Sequence, residues 1–192
     1  TRADEEELMA ICRLLHKENG MAPLNENKVR SILHRAFDRQ GGIIGVIRGP
    51  DRLEGVIYLL LTSQWYTEDA HLEELFSIVH PEHRKSGHAE TLVEFAKSMS
   101  EMLSKCGTVK IPLIIGILTN QRMAGKVRLY RRALGWPSGA LFAYNANWTN
   151  EPVAEDFWSK PFPEKGKRSD DSRKRHNTKR KQAWEQKKTG GT

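Results

Sequence analysis

Two short segments of the sequence combine residue types that could do chemistry. In residues 79–89 an apolar strand-like run ends, a polar loop follows, and a helical pattern begins after Gly87. The amides of such a loop and of the following helix N-terminus are unpaired, and together with the helix dipole they favour an anion. Arg84 and Lys85 add positive charge, and Gly87 lets the backbone approach a ligand closely. The segment is a candidate phosphate-binding loop; the alternative is an ordinary strand-to-helix turn.

The second segment, residues 127–136, is the end of an amphipathic helix with a single tyrosine, Tyr130. A phenol held within about 3 Å of a departing thiolate can donate a proton to it. An aromatic side chain on a helix more commonly packs into the core. The residues alone leave both interpretations open.

Two adjacent acids, Glu73 and Glu74, fall in the third predicted strand. On a regular strand Glu73 shares one face with Ser77, and Glu74 shares the other face with Phe76. One of the two acids must then point into a cleft, where burial would raise its pKa toward the range that a general base needs. The alternative is that both are edge charges beside a loop.

The elements that must position these residues follow from hydrophobic periodicity. Apolar residues at helical spacing predict helices, and continuous or alternating apolar runs predict strands. The predicted order is α-α-β-β-β-α-β-α-β. In chain order the elements cover residues 4–19, 25–40, 43–48, 53–62, 72–79, 87–105, 109–118, 122–134 and 139–148.

Together the two segments resemble the GNAT superfamily of N-acetyltransferases. The family's cofactor loop, Arg/Gln-x-x-Gly-x-Gly/Ala after a strand, stands here as Arg84-x-x-Gly87-x-Ala89. Its second signature, which ends in Leu-Tyr and then Leu-Gly-Phe, stands here as Leu129-Tyr130 followed by Leu134-Gly135-Trp136. The resemblance extends over residues 43–144.

The resemblance implies an α/β GNAT acyl-CoA acyltransferase fold, with a central, mostly antiparallel mixed sheet flanked by helices. The family's first strand has no predicted counterpart, because the sequence opens on a predicted helix. The resemblance also implies transfer of an acetyl or other acyl group from acetyl-CoA to an amine. Acetyl-CoA would act as a co-substrate, and the sequence does not name the amine.

Roles for individual residues follow from the same resemblance. Tyr130 would protonate the leaving thiolate. Glu73 would be the general base, because it lies eleven residues before Arg84, where some members have a glutamate. Glu74 is the alternative base. The expected cofactor-binding residues are Ser77, Ile78 and Val79 along the pantetheine arm, Arg84, Lys85, Ser86, Gly87, His88, Ala89 and Glu90 around the pyrophosphate, and Asn120, which is alternatively a helix cap.

The formal net charge of +7 comes from the C-terminal part of the chain. Residues 160–192 hold 12 Lys or Arg against 4 Asp or Glu. We therefore expect an acyltransferase domain over residues 1–150, a Pro- and aromatic-rich strap over residues 151–163, and a flexible or helical basic tail over residues 164–192. Residues 165–188 suit a nucleic-acid backbone, because neutralised phosphates release counterions.

Other classes are disfavoured by what the sequence lacks. No apolar run approaches the ~20 residues of a membrane span, so no membrane partner is expected. The two cysteines form no C-x-x-C pair, and the seven histidines show no metal-ligand spacing, so no metal is expected. A cytoplasmic location is the simplest expectation.

Two other functions stay open at this point. One is a non-catalytic GNAT-fold module that binds nucleic acid or a larger assembly through the basic tail. The other is a GNAT-like enzyme that modifies a DNA nucleobase while the tail holds the DNA.

Overall fold

The computed structural model describes residues 1–107, 109–117, 119, 122–135 and 137. The predicted strand 139–148, the strap and the basic tail lie outside the described residues. Short 3-10 turns occur at Arg2–Asp4 and Pro81–His83. The longer elements are α1 (Glu5–Asn19), α2 (Glu26–Phe37), β1 (Gly42–Arg48), β2 (Leu53–Ser63), β3 (Ala70–Val79), α3 (His88–Cys106), β4 (Leu113–Ile114) and α4 (Met123–Leu134).

The four strands form one sheet in the order β1-β2-β3-β4. The first two pairings are antiparallel, and β3 pairs with β4 in parallel. The helices pack on both faces, so the predicted mixed, mostly antiparallel α/β architecture is confirmed. Among the described helices, none is both long and apolar enough to cross a membrane.

The two N-terminal helices form because their ends are stabilised and their apolar stripes are covered. Acidic residues occupy the first turn of α1, where they favour the positive end of the helix dipole. The side chain of Asn25 caps α2 by accepting a hydrogen bond from the amide of Lys28 at 3.0 Å. Arg30 of α2 lies 2.7 Å from Glu5 of α1, which ties the two helices together.

The central strand β2 is buried on both faces, as its continuous apolar run predicts. Val56 and Tyr58 belong to the core beneath α1 and α2. Ile57 and Leu59 belong to a second core, to which α3 contributes Leu92. The sheet therefore separates two cores. One face of the sheet is called the α1/α2 side and the other the α3 side, after the helices that cover them.

The strand β4 is much shorter than the predicted strand 109–118. Pro112 has no amide to donate, although its carbonyl accepts a hydrogen bond from the amide of Leu72 at 2.8 Å. Among the described residues, β4 then pairs with β3 only at Leu72 and Glu73. Beyond that point β4 does not pair with the outer edge of β3 among the described residues, and this stretch of edge is called the uncovered edge of β3.

A β-bulge interrupts the pairing of β2 with β3. Tyr58 pairs with Phe76, whereas the next residue of β2, Leu59, pairs with Glu74, so Leu75 is an extra residue on β3. Antiparallel partners point to the same face of a sheet, and a bulge re-aims the side chains beyond it. Phe76 therefore faces the α1/α2 side with Tyr58, and Glu74 faces the α3 side with Leu59.

Candidate active site

The segment between β3 and α3 forms the predicted loop. After Val79 the chain makes the 3-10 turn Pro81–His83 and then reaches Gly87, whose φ of 88° lies in the left-handed region that glycine tolerates. An added Cβ at Gly87 would meet nothing within 4 Å, so the space beside the loop is open. The loop delivers the N-terminus of α3, a helix of 19 residues, to that open space.

Arg84 is a fixed part of this loop rather than a mobile charge. Its Nε donates to the carbonyl of Val79 at 3.3 Å, and its guanidinium pairs with Glu18 near the end of α1. The pairing holds the end of β3, the loop and the end of α1 together.

A cleft of about 480 Å³ lies beside the loop. Its walls come from the end of α1, the C-terminal part of β3, the loop and one face of α4. Five basic side chains and two carboxylates line it, so its charge is positive; they are Arg84, Lys85, Arg122, Lys126, Arg132, Glu18 and Glu90. A positive cleft at a helix N-terminus suits an anionic ligand.

The uncovered edge of β3 forms one wall of this cleft. Ser77, Ile78 and Val79 line it. Since β4 pairs with β3 only at Leu72 and Glu73 among the described residues, β4 does not occupy the polar backbone groups of this later stretch. An extended ligand with amide groups could hydrogen-bond there as an added strand does.

The phenol of Tyr130 and the carboxylate of Glu74 meet at this cleft. The hydroxyl of Tyr130 lies 3.3 Å from each of the two oxygens of Glu74. Tyr130 lines the cleft, as does Lys126 one helical turn before it. Residues four apart share a helix face, so α4 presents the phenol and the ammonium on the same side.

The environment shifts the pKa values of all three groups. Burial raises the pKa of Glu74 from 4.5 to about 7, against the opposing effects of the Lys126 charge and the Tyr130 hydrogen bond. Burial lowers the pKa of Lys126, while the Glu74 carboxylate acts in the opposite direction. Burial and the adjacent carboxylate raise the pKa of Tyr130, so the phenol stays protonated at neutral pH. A carboxylate that titrates near neutrality next to a protonated phenol is suited to acid–base chemistry.

Several solved acetyltransferases are similar to this chain. A possible acetyltransferase from Clostridium difficile 630 has a TM-score of 0.57 at 14% identity, covering 75% of this chain and 92% of its own. A ribosomal-protein-alanine N-acetyltransferase from Brucella melitensis has a TM-score of 0.55 at 13% identity, covering 74% and 93%. An aminoglycoside 6'-N-acetyltransferase from Acinetobacter haemolyticus has a TM-score of 0.53 at 14% identity, covering 75% and 92%. The chain has the GNAT fold.

The predicted resemblance to the GNAT superfamily is thus confirmed at the level of the fold. No protein-family model matches the sequence. No curated protein matches it either. At identities this low, the likeness to GNAT structures establishes the architecture but does not identify the acceptor substrate.

The structure places the two candidate bases of this GNAT fold differently from the expectation. Glu73 does not reach Tyr130; its side chain is 48% exposed and lies 3.8 Å from His71. Glu74, the alternative base, is the acid that contacts Tyr130. The physical reason is the bulge at Leu75, because uninterrupted alternation from Ser77 leads to Glu73, whereas one inserted residue leads to Glu74.

The predicted cofactor residues separate into three groups. Most of them line the cleft: Ser77, Ile78, Val79, Arg84, Lys85, Gly87, Ala89 and Glu90. Ser86 and His88 do not, because the Ser86 hydroxyl donates to the carbonyl of His83 at 2.6 Å and the His88 ring contacts Glu54 at 2.5 Å. Asn120 lies outside the described residues.

Two charged residues of the site were missed by the sequence analysis. Lys126 precedes Tyr130 by four residues, and that helical spacing is the signal that would have found it. Glu18 gave no such signal, because its partner Arg84 is 66 residues away and only the fold brings them together.

Proposed function

We propose that this protein transfers an acetyl group from acetyl-CoA to an amine. The observation that carries the proposal is that Tyr130, which lines a positively charged cleft, donates a hydrogen bond to the carboxylate of Glu74. The GNAT fold supports the reaction class, since the similar structures are acetyltransferases.

The pyrophosphate of CoA would bind at the loop. The N-terminus of α3 supplies unpaired amides and positive potential, and Gly87 leaves room for the phosphates beside the backbone. Lys85 and Arg122 would balance the charge, since neither has an ion-pair partner within the part of the chain that the structure describes. Arg84 would act by holding the loop in place through Glu18 and Val79.

The pantetheine arm would extend along the uncovered edge of β3. Its amide groups would pair with the backbone of Ser77, Ile78 and Val79, as an added strand would. This alignment directs the thioester along β3 toward Glu74 and Tyr130. Holding thioester and amine in contact is itself a large part of the acceleration, since it converts a bimolecular encounter into an intramolecular step.

In the chemical step, the amine nitrogen forms a bond to the thioester carbon and the carbon–sulfur bond breaks. The ionised carboxylate of Glu74 would accept the proton that the amine gives up, directly or through water. The phenol of Tyr130 would give its proton to the departing thiolate. The proton on Glu74 can then return to Tyr130 along the 3.3 Å contact, which restores both groups.

The proposal is tested by thiol release from acetyl-CoA in the presence of a panel of amines. The panel includes an aminoglycoside and a peptide with an N-terminal alanine, because the similar structures include an aminoglycoside acetyltransferase and a ribosomal-protein-alanine acetyltransferase. Turnover by the full chain, with loss of turnover in Tyr130→Phe, is the expected result. A folded chain that binds acetyl-CoA without turning over any amine would favour a non-catalytic module. Modified nucleosides recovered from DNA would instead indicate a nucleobase as the acceptor.

A further inference from the structure

A second polar cluster lies on the other side of the loop. Glu54, His83 and His88 each offer one ligand atom, and the three atoms lie within 4.8 Å of one another. The Oε2 of Glu54 is 2.5 Å from Nε2 of His88 and 3.4 Å from Nδ1 of His83. One carboxylate oxygen therefore faces two imidazole nitrogens.

The three residues come from separate elements. Glu54 lies in β2, His83 ends the 3-10 turn Pro81–His83, and His88 is the first residue of α3. Their side chains are 15%, 31% and 21% exposed, so the cluster is partly desolvated but open to solvent. The two imidazole rings are stacked, with centroids 6.2 Å apart and planes at 19°.

We propose that Glu54, His83 and His88 bind a divalent transition-metal ion of the zinc class. Two imidazoles and one carboxylate are ligands that zinc takes in proteins, with a fourth position left to water. The two histidines are separated by four residues, which falls in the ligand spacing common at zinc sites. Glu54 comes from a strand that is distant in the sequence, so the spacing of the histidines alone does not predict this three-residue site.

The three ligand atoms lie within 4.8 Å of one another, and two of their separations are given by the contacts of Glu54. Ligand atoms about 2.1 Å from a tetrahedral zinc ion lie about 3.4 Å apart, which is the separation of Glu54 and His83. The contact of Glu54 with His88 would open by about 0.9 Å as the ion takes the place of the hydrogen between them, and His88 would carry its ring proton on Nδ1.

A neighbouring histidine supplies an independent observation. The Nδ1 of His80 is buried and has no hydrogen-bond partner among the described residues. Its ring lies beside that of His83, with centroids 5.9 Å apart. The carboxylate of Glu82 lies 3.9 Å from this nitrogen, too far for a hydrogen bond, so a nearby ion or its bound water would satisfy it.

The site would act on the structure of the loop rather than in the transfer reaction. Gly87 and Ala89 line the cleft, whereas His88 between them does not. A metal at His88 would hold the start of α3 against β2 from outside the cleft. The proposal does not depend on acetyl-CoA binding, so its test is separate from the test of acyl transfer.

The experiment is titration of the chelator-treated full-length chain with Co²⁺ and Zn²⁺. We expect one ion per chain, a visible cobalt spectrum typical of tetrahedral nitrogen and oxygen ligands, and a rise in melting temperature with either metal. Glu54→Gln and His88→Gln should each weaken binding by at least ~10-fold, because each removes a ligand. Circular dichroism of each metal-free variant verifies that it is folded.

Two matched variants control for other sites. His34→Gln removes a histidine that pairs with a single glutamate, Glu5, at 3.0 Å, and should leave binding unchanged. Cys106→Ser removes an exposed thiol that could bind metal elsewhere, and should also leave binding unchanged. Absence of stoichiometric binding by the wild-type chain, or equal affinity in Glu54→Gln and His88→Gln, would overturn the proposal.

Discussion

Two tyrosines, one in the core beneath α1 and α2 and one beside the cleft, show how differently the same side chain is used. Tyr58 of β2 is fully buried under α2, and its hydroxyl donates to the carbonyl of Ile32 at 2.8 Å. Tyr130 of α4 lines the open cleft and donates to Glu74 at 3.3 Å. Burial raises the pKa of both phenols.

The partner of each hydroxyl decides what the tyrosine can do. A backbone carbonyl has one protonation state, so the Tyr58 hydrogen bond can only stabilise the packing of α2 on the sheet. A carboxylate whose pKa is about 7 can take up and release a proton at working pH. The regular part of the sheet thus builds a core, whereas the part with the bulge at Leu75 places Glu74 within hydrogen-bonding distance of Tyr130.

The largest expected effect is on the chemistry of Tyr130→Phe. Removing the phenol oxygen keeps the ring, so the fold and acetyl-CoA affinity should persist. If the proton is needed, kcat should fall by ~100-fold or more, in line with general acid catalysis. Tyr58→Phe is the matched control, and its kcat should stay within about twofold of wild type. Equal kcat values for the two variants in steady-state kinetics would contradict a specific role of Tyr130 in the chemical step.

The next effect concerns the loop that holds the cofactor. Gly87→Glu places a carboxylate beside the expected pyrophosphate, so acetyl-CoA affinity measured by calorimetry should fall by at least ~10-fold. Gly87→Ala is the control for backbone strain. Both substitutions place a side chain at a residue with positive φ, but only Gly87→Glu adds a charge. Ser86→Glu adds the same charge one residue away, where the side chain does not line the cleft, and should have a smaller effect. Unchanged affinity in folded Gly87→Glu would show that the pyrophosphate lies elsewhere.

A third effect is on the pH dependence of stability. Folding raises the pKa of Glu74 from 4.5 to about 7, so its contribution to stability is full below about pH 4.5 and is lost as the pH rises through about 7. Glu74→Gln cannot ionise and should therefore lose less stability than wild type between about pH 5 and about pH 8. Urea denaturation at both pH values measures this, with the exposed Glu73→Gln as the control. If the free energy of unfolding changed equally with pH in all three proteins, the carboxyl of Glu74 would be solvated in the folded state.

The smallest effect is on the stability of Tyr58→Phe. Loss of a hydrogen bond to the carbonyl of Ile32 should lower the free energy of unfolding by about 1 kcal/mol. Tyr130→Phe should change it less, since the hydrogen bond of Tyr130 to Glu74 is longer, at 3.3 Å. A larger loss of stability in Tyr130→Phe than in Tyr58→Phe would mark Tyr130 as a structural residue.

Much of the fold was predictable because local patterns determine it. The continuous apolar run of β2 indicated burial on both faces, and the loop at Gly87 was recognisable from the junction of strand and helix. The predicted strand 109–118 was too long: Pro112 is visible in the sequence and has no amide to donate, but the brief pairing of β4 with β3 is set by tertiary contacts.

The site was predictable only in part, for a related reason. Tyr130 and most loop residues line the cleft as expected. The choice between Glu73 and Glu74 depended on a single inserted residue at Leu75, and no residue type there marks a bulge. The contact of Arg84 with Glu18 joins positions far apart in the chain, and a single sequence carries no signal of that kind.

The central claim, that Glu74 and Tyr130 perform acyl transfer in this cleft, is tested most directly by the pH–rate profile of kcat/KM. Wild type should lose activity tenfold per pH unit below an apparent pKa near 7, since Glu74 must be ionised to accept a proton. Glu73→Gln should reproduce that profile with nearly the same rate. Glu74→Gln should be slower by ~100-fold, with the acidic limb abolished. A wild-type profile in Glu74→Gln together with a flattened one in Glu73→Gln would contradict the assignment.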